Sequence, residues 1–169
     1  SAAITTIEAI YVPSDDLTDH AVQSVFPYLD SNVILSRTIY QEGRFPAIDL
    51  LSSTSAALNE ETVGVKHFRA LLLAQSLLKR AVSLERIVSL VGESELSPED
   101  QNDYRRARLL RNYMSQNFFV TEAQTGKKGK RVSIDNTVQD ASDILDGKYE
   151  DYPPETFLYI ASIKESFTG

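Results

Sequence analysis

ERIVSLVGESELSPED, residues 85–100, is the stretch on which the fold turns. An apolar series at helical spacing, Leu84, Ile87, Val88 and Val91, runs into Gly92, a residue type that commonly stops a helix. Four carboxylates then fall within eight residues. Ser97-Pro98-Glu99-Asp100 starts a helix again: serine as N-cap, proline at the first helical position, acids beside the positive helix end. The stretch predicts two helices joined by a short turn. The glycine and the proline explain the turn, but not its charge.

Outward from this turn, Phe68, Leu71, Leu72, Gln75 and Leu78 carry the helical stripe back towards residue 61, with a slight break before Leu84. On the other side Tyr104, Ala107, Leu110, Tyr113 and Met114 share one face, while Arg105, Arg106, Arg108 and Arg111 crowd the rest. Ser133 caps a further helix through Val138, Ala141, Ile144 and Leu145, ended by Gly147. A final helix is expected from near Pro154 through FLYIASIKE, residues 157–165.

The first third reads differently. Residues 4–12, ITTIEAIYV, are rich in β-branched and aromatic residues, with apolar groups on both faces: Ile4, Ile10 and Val12 on one, Ile7, Ala9 and Tyr11 on the other. That pattern suits a strand covered on two sides, as in a parallel sheet. Pro13 stops it, and a second strand is expected over Asn32 to Ser36. The fold class is thus an α/β fragment, residues 1–60, followed by an all-α helical bundle, residues 61–169.

Composition bounds the function. The 169 residues carry a net charge of −7, which argues against nucleic acid as a partner held by bulk electrostatics. A 42% hydrophobic content is enough for a core, and the absence of cysteine removes disulfides, thiol nucleophiles and cysteine-based metal sites. No run approaches the roughly 18 apolar residues of a membrane span. The N-terminus lacks the basic and long apolar regions of a signal peptide.

Motifs of catalysis are few. GKKGK at 126–130 has neither the spacing of a phosphate-binding loop nor its final Ser or Thr, so with Arg131 it reads as a solvated basic turn. His20 and His67 have no metal-ligand spacing, and no metal site is expected. Asp15-Asp16-Leu17-Thr18-Asp19 lies just past the first expected strand, where ligands of parallel sheets gather, but on spacing alone it reads as a polar turn with a helix cap. Phe45 and Phe118 both sit in loop contexts, as core anchors or as a pair that sandwiches a planar base.

YVPSDDLTD (11–19), VILSR (33–37), EGRFPAIDLLSSTS (42–55), ERIVSLVGESELSPED (85–100), RARLLRNYMSQNFFVTEAQTG (106–126) and ILDGKYEDYPPETF (144–157) occur in one order. Together they resemble the C-terminal part of the β subunit of F-type ATP synthase, the catalytic subunit of a rotary ATPase, across essentially the whole chain. The resemblance implies ATP synthesis or hydrolysis, coupled through rotation of a γ subunit to proton or sodium transport. The phosphate-binding loop, the ligands of Mg2+ and the catalytic carboxylate would lie upstream, so no catalytic residue falls in this chain and the fragment alone would be inactive. Partners would be α subunits in an alternating hexameric ring, the γ rotor, and ATP or ADP with Mg2+. The location would be peripheral on an energy-transducing membrane, which is reached only through the membrane-embedded sector.

Two sets of residues follow from the resemblance. Phe45 matches the aromatic of the family's G-x-aromatic-P turn that stacks on adenine, and Phe118 matches the first aromatic of its QPF-type motif. Thr121 and Gln124 complete the adenine pocket, where the family commonly has alanine and another aromatic, and Asn117 replaces the usual proline. Asp15, Asp16, Thr18 and Asp19 fall in the loop that engages γ. Glu93, Glu95, Leu96, Glu99 and Asp100 fall in the acidic tip that pushes on the same shaft, with Ser94 and Pro98 replacing two acids of its DELSEED motif. Two other readings fit these departures: a diverged rotary ATPase paralogue not coupled to ion transport, or a free-standing interaction module without nucleotide.

Overall fold

The computed structural model describes residues 3–167. In chain order its elements are α1 (His20–Val25), β1 (Ser31–Asn32), α2 (Arg37–Gln41), β2 (Thr54–Ser55), α3 (Glu60–Val63), α4 (Val65–Val91), α5 (Pro98–Tyr113), α6 (Glu122–Thr125), α7 (Ile134–Leu145) and α8 (Ile163–Phe167). The expected architecture holds: a small two-stranded sheet piece leads into a helical bundle. Gly92 ends α4 at φ +93, with its amide donating back to Val88 O at 2.9 Å. Ser97 Oγ then accepts from the Asp100 amide, and Ser133 Oγ from the Asn136 amide, each at 3.2 Å. These caps satisfy amides that have no partner within their helix.

The core lies where α4, α5 and α7 meet. On α4 the buried face is Ala70, Leu78, Ala81 and Leu84, with Ala74 and Leu77 against it. The stripe is therefore rotated from the one expected, and Leu72, Ile87 and Val91 are exposed. Small and large residues share the contact, Ala70 and Ala81 alongside Leu78 and Leu84. There is also no break before Leu84: α4 is one helix of 27 residues. Leu109, Leu110, Ile144 and Phe157 are fully enclosed, each burial worth about 1.5–3 kcal/mol. The arginines of α5 reach acids on neighbouring segments: Arg106 to Glu150, Arg111 to Glu85, and Arg108 to Glu155 at 2.8 Å.

The strands depart from expectation. Residues 4–12 form no strand; Ile7 is 98% exposed, and no described segment runs alongside to complete a ladder. The second strand is confined to Ser31–Asn32, and it pairs antiparallel with Thr54–Ser55 rather than parallel with residues 4–12. The ladder fails to continue because the Ile34 amide turns to Ser53 Oγ at 3.0 Å. Only a single bridge, Leu35 to Ile48, follows.

The last expected helix is also broken. Pro154–Phe157 makes one 3-10 turn, then Tyr159 and Ala161 adopt φ +60 and +59, and helical geometry resumes only at Ile163. Asp140, buried on α7, holds the break in place. Its Oδ2 accepts from Tyr113 OH and from the Ile163 amide, both at 2.9 Å, so one carboxylate ties α5, α7 and α8 together.

Candidate functional site

Three segments distant in sequence meet around Phe45. The turn at Gly43, with φ +74, places Phe45 ahead of a cis peptide to Pro46. The Phe45 carbonyl accepts from the Gln116 amide at 2.8 Å, and the Phe45 amide donates to Tyr159 OH at 3.2 Å. The same hydroxyl donates to Gly43 O at 2.6 Å. Tyr40 meets the Phe45 ring edge-on at 5.5 Å, yet that ring stays 41% exposed. Phe118, two residues past the Gln116 stitch, is 42% exposed. The structure thus brings the two predicted aromatics to one junction, though not into ring contact among the described residues.

The other two predicted pocket residues are placed differently. Thr121 is half-buried and donates from both its amide and Oγ1 to Phe118 O, at 3.2 and 2.9 Å, which fixes the loop behind the ring. Gln124 is exposed on the short helix α6. The basic loop is a solvated turn between helices, with Lys127, Lys128, Lys130 and Arg131 exposed, and it is also tied to its surroundings. Its Gly129 amide donates to Glu122 Oε1 at 2.7 Å, and a Cβ at Gly129 would lie 2.3 Å from Phe119 N. Lys127 stands 5.2 Å over the Tyr159 ring, a cation–π arrangement. Sequence reading missed Tyr159 and Lys127; nothing local in either stretch signals the contact. Two open recesses, of about 510 and 530 Å³, lie elsewhere along α4 and α7, and neither is lined by Phe45 or Phe118.

The acids of the first loop are engaged within the chain. Arg37 donates to Asp15 at 2.8 Å and holds its carboxyl below the usual carboxylate range. Asp16 accepts from the Thr18 hydroxyl and amide, at 2.6 and 2.8 Å, with the same effect. Asp19 caps α1 through the amides of Ala21 and Val22. This is the polar turn with a helix cap, built in detail.

At the tip between α4 and α5 the acids divide. Asp100 takes Arg80 at 2.8 Å and the Ser97 hydroxyl at 2.8 Å, which lower its pKa in that order. Arg80 also lies 3.0 Å from Asp103 and 3.6 Å from Glu99. Glu93 is 4.0 Å from Arg108, and no basic group among the described residues pairs with Glu95. Leu96, predicted as a contact, is 7% exposed and plugs the hairpin from inside, because the helical turn Glu93–Glu95 points it at the core. The exposed apolar groups are instead Ile87, Leu90 and Val91, with Leu90 at 83%. Their spacing, on the side that the alanine stripe leaves outside, was the available signal.

No cluster of three His, Cys, Asp or Glu able to hold a metal ion occurs among the described residues. No helix of the described residues is long and apolar enough to cross a membrane.

Residues 57–152, more than half of the chain, match the family model described as the C-terminal domain of V and A type ATP synthase. Residues 1–55 match that of the ATP synthase alpha/beta family, nucleotide-binding domain. Among solved structures, an ATP synthase subunit, NeqB, from Nanoarcheaum equitans is 23% identical with a TM-score of 0.66, over 84% of this chain and 33% of that one. The ATPase EscN of the type III secretion system of enteropathogenic E. coli is 22% identical with a TM-score of 0.64, over 80% of this chain and 31% of that one. Both likenesses concern the fold, and the chain spans about a third of the length of each. The matches agree with the sequence resemblance at the level of a rotary ATP synthase subunit and are coarser than the F-type β assignment.

Proposed function

Because the chain belongs to the family of V and A type ATP synthase C-terminal domains, we propose that it is the C-terminal part of a rotary ATPase catalytic subunit whose motifs resemble F-type β. The whole subunit would synthesise or hydrolyse ATP, coupled through a γ rotor to proton or sodium movement. It would work in a ring with α subunits, peripheral to an energy-transducing membrane. The observation that carries this is the Gln116–Phe45 hydrogen bond, 2.8 Å, which joins the segment matched as nucleotide-binding to the segment matched as C-terminal domain. Two half-exposed rings stand at that joint.

In this reading the chain binds the base and passes on movement; it performs no bond-making step. Adenine stacks on Phe45 and Phe118, at about 1–3 kcal/mol per stacked base. The phosphates and Mg2+ are held by other parts of the subunit, since phosphoryl transfer needs a phosphate cradle and metal ligands. Closure around the nucleotide would pull on the Phe45 turn and swing the bundle as a body, delivering the tip to the shaft. The test is nucleotide affinity of the intact subunit. Phe45→Ala and Phe118→Ala should each weaken ATP binding by about tenfold, the equivalent of 1.4 kcal/mol. Unchanged affinity in both would overturn the adenine assignment and favour the interaction module.

The tip supports a second reading, a paralogue whose turnover drives something other than ion transport. With Ser94 and Pro98 in place of acids and Asp100 tied to Arg80, its free charge is reduced. ATP-driven ion uptake into vesicles bearing the intact complex separates the two readings; an active ATPase without uptake is the paralogue.

A further inference from the structure

Tyr159 occupies an unusual place. It lies 114 residues from Phe45 in sequence, beyond both family matches, yet its hydroxyl takes the Phe45 amide and gives its own proton to Gly43 O. Its backbone sits at φ +60, a region costly for a residue with a Cβ, and the Tyr159 amide is held there by Ser115 Oγ at 2.9 Å. Ser115 is itself buried and donates to Asn112 O, so the anchor reaches into the end of α5. Strain maintained by two independent contacts needs something gained in return.

We propose that Tyr159 is a positioning residue for the base-stacking turn: its hydroxyl clamps Gly43 O and Phe45 N so that the C-terminal segment sets the angle of the Phe45 ring. This inference rests on the adenine-stacking reading and adds a residue to it. With the Gln116 bond on the other side, both polar backbone atoms of Phe45 are held by the helical region. The ring is then presented by a fixed frame, whereas its exposed face alone would permit several poses. A pre-set ring loses less freedom when a base lands on it, so the benefit appears in binding. Lys127 over the Tyr159 ring secures the clamp from the solvent side.

The experiment uses the intact subunit with Tyr159→Phe, which keeps the ring and removes the hydroxyl. Exchange of the Phe45 amide should quicken about five- to tenfold, as for the loss of one hydrogen bond. KM for ATP should rise by a similar factor with kcat unchanged, and the rise should vanish in a Phe45→Ala background. Unaltered exchange at Phe45 overturns the clamp. Faster exchange with unaltered KM, where Phe45→Ala does raise KM, overturns the positioning role and leaves the stacking reading intact. If Phe45→Ala itself leaves KM unchanged, the stacking reading fails and the positioning role fails with it. A KM rise that persists fully without the Phe45 ring shows a merely structural tyrosine and also overturns the proposal.

Discussion

At the residue scale, the buried carboxylate of Asp140 is the most consequential polar group in the core. Its Oδ2 accepts from Tyr113 OH and from the Ile163 amide. Burial, then the bond to Asp140, push the Tyr113 hydroxyl well above its ordinary pKa of 10.0. The folded state therefore holds this proton more tightly than the unfolded state. Its stabilising effect is complete below pH 10 and is lost as pH rises beyond it, where only the unfolded tyrosine ionises. Tyr113→Phe should cost about 1–3 kcal/mol at neutral pH, because Asp140 loses a donor. Above pH 10 the gap between the two proteins should narrow in urea titrations; a gap independent of pH would sink this account. Neither partner was legible as a pair in sequence. Tyr113 was read on the apolar face of α5, whereas Asp140 looks like one of many acids until α7 turns it inward.

At the element scale, the helix caps and stops are the features legible locally. Ser97 and Ser133 as caps and Gly92 as a stop depend on chemistry within four residues of each helix end. Long-range pairing was not legible. Residues 4–12 have the composition of a strand, but a strand is completed by its neighbours, and none is among the described residues. The α4 stripe is legible in part: Leu78 and Leu84 are buried as expected, whereas Leu72, Ile87 and Val91 are exposed and the core face also takes the alanines at 70 and 81. The phenylalanine sites were recognised as unusual in loops; Tyr159 was not, as its role exists only after folding across 114 positions. The tip hairpin offers a clean test of local coding. Ser97→Ala removes an N-cap and a donor to Asp100, at a cost of about 1 kcal/mol. For a chain of this size that lowers the thermal midpoint by about 2–4 °C. Ser94→Ala, exposed three residues earlier, should change stability by less than about 0.5 kcal/mol. Equal effects from the two serines would show that the cap does not organise the turn.

At the scale of the whole molecule, the proposed function asks that the bundle be stiff between the Phe45 junction and the tip, and adhesive at the tip. Stiffness would come from the unbroken α4, braced by Arg111–Glu85 and by the Arg80 cluster, both in its C-terminal half. In that proposal adhesion would divide between exposed carboxylates, Glu93, Glu95 and Glu99, and the exposed apolar shoulder of Ile87, Leu90 and Val91. These two contributions differ in a measurable way. Exposed charges steer encounter and are screened by salt, each pair contributing about 0–1 kcal/mol. Apolar contact persists in salt and acts on dissociation. Replacing the three glutamates by lysine should slow association with a basic rotor helix at low salt and flatten its salt dependence. Leu90→Ser with Val91→Ser should leave that dependence alone and speed release by about tenfold, from two side chains of partial burial at about 25 cal/mol per Å². Asp100→Asn belongs in the same series as a control, since its carboxylate already serves Arg80 and Ser97. It should loosen the hairpin without altering the salt slope. If charge reversal at Glu93, Glu95 and Glu99 left both rate and slope untouched, the tip would not be the surface that meets the shaft.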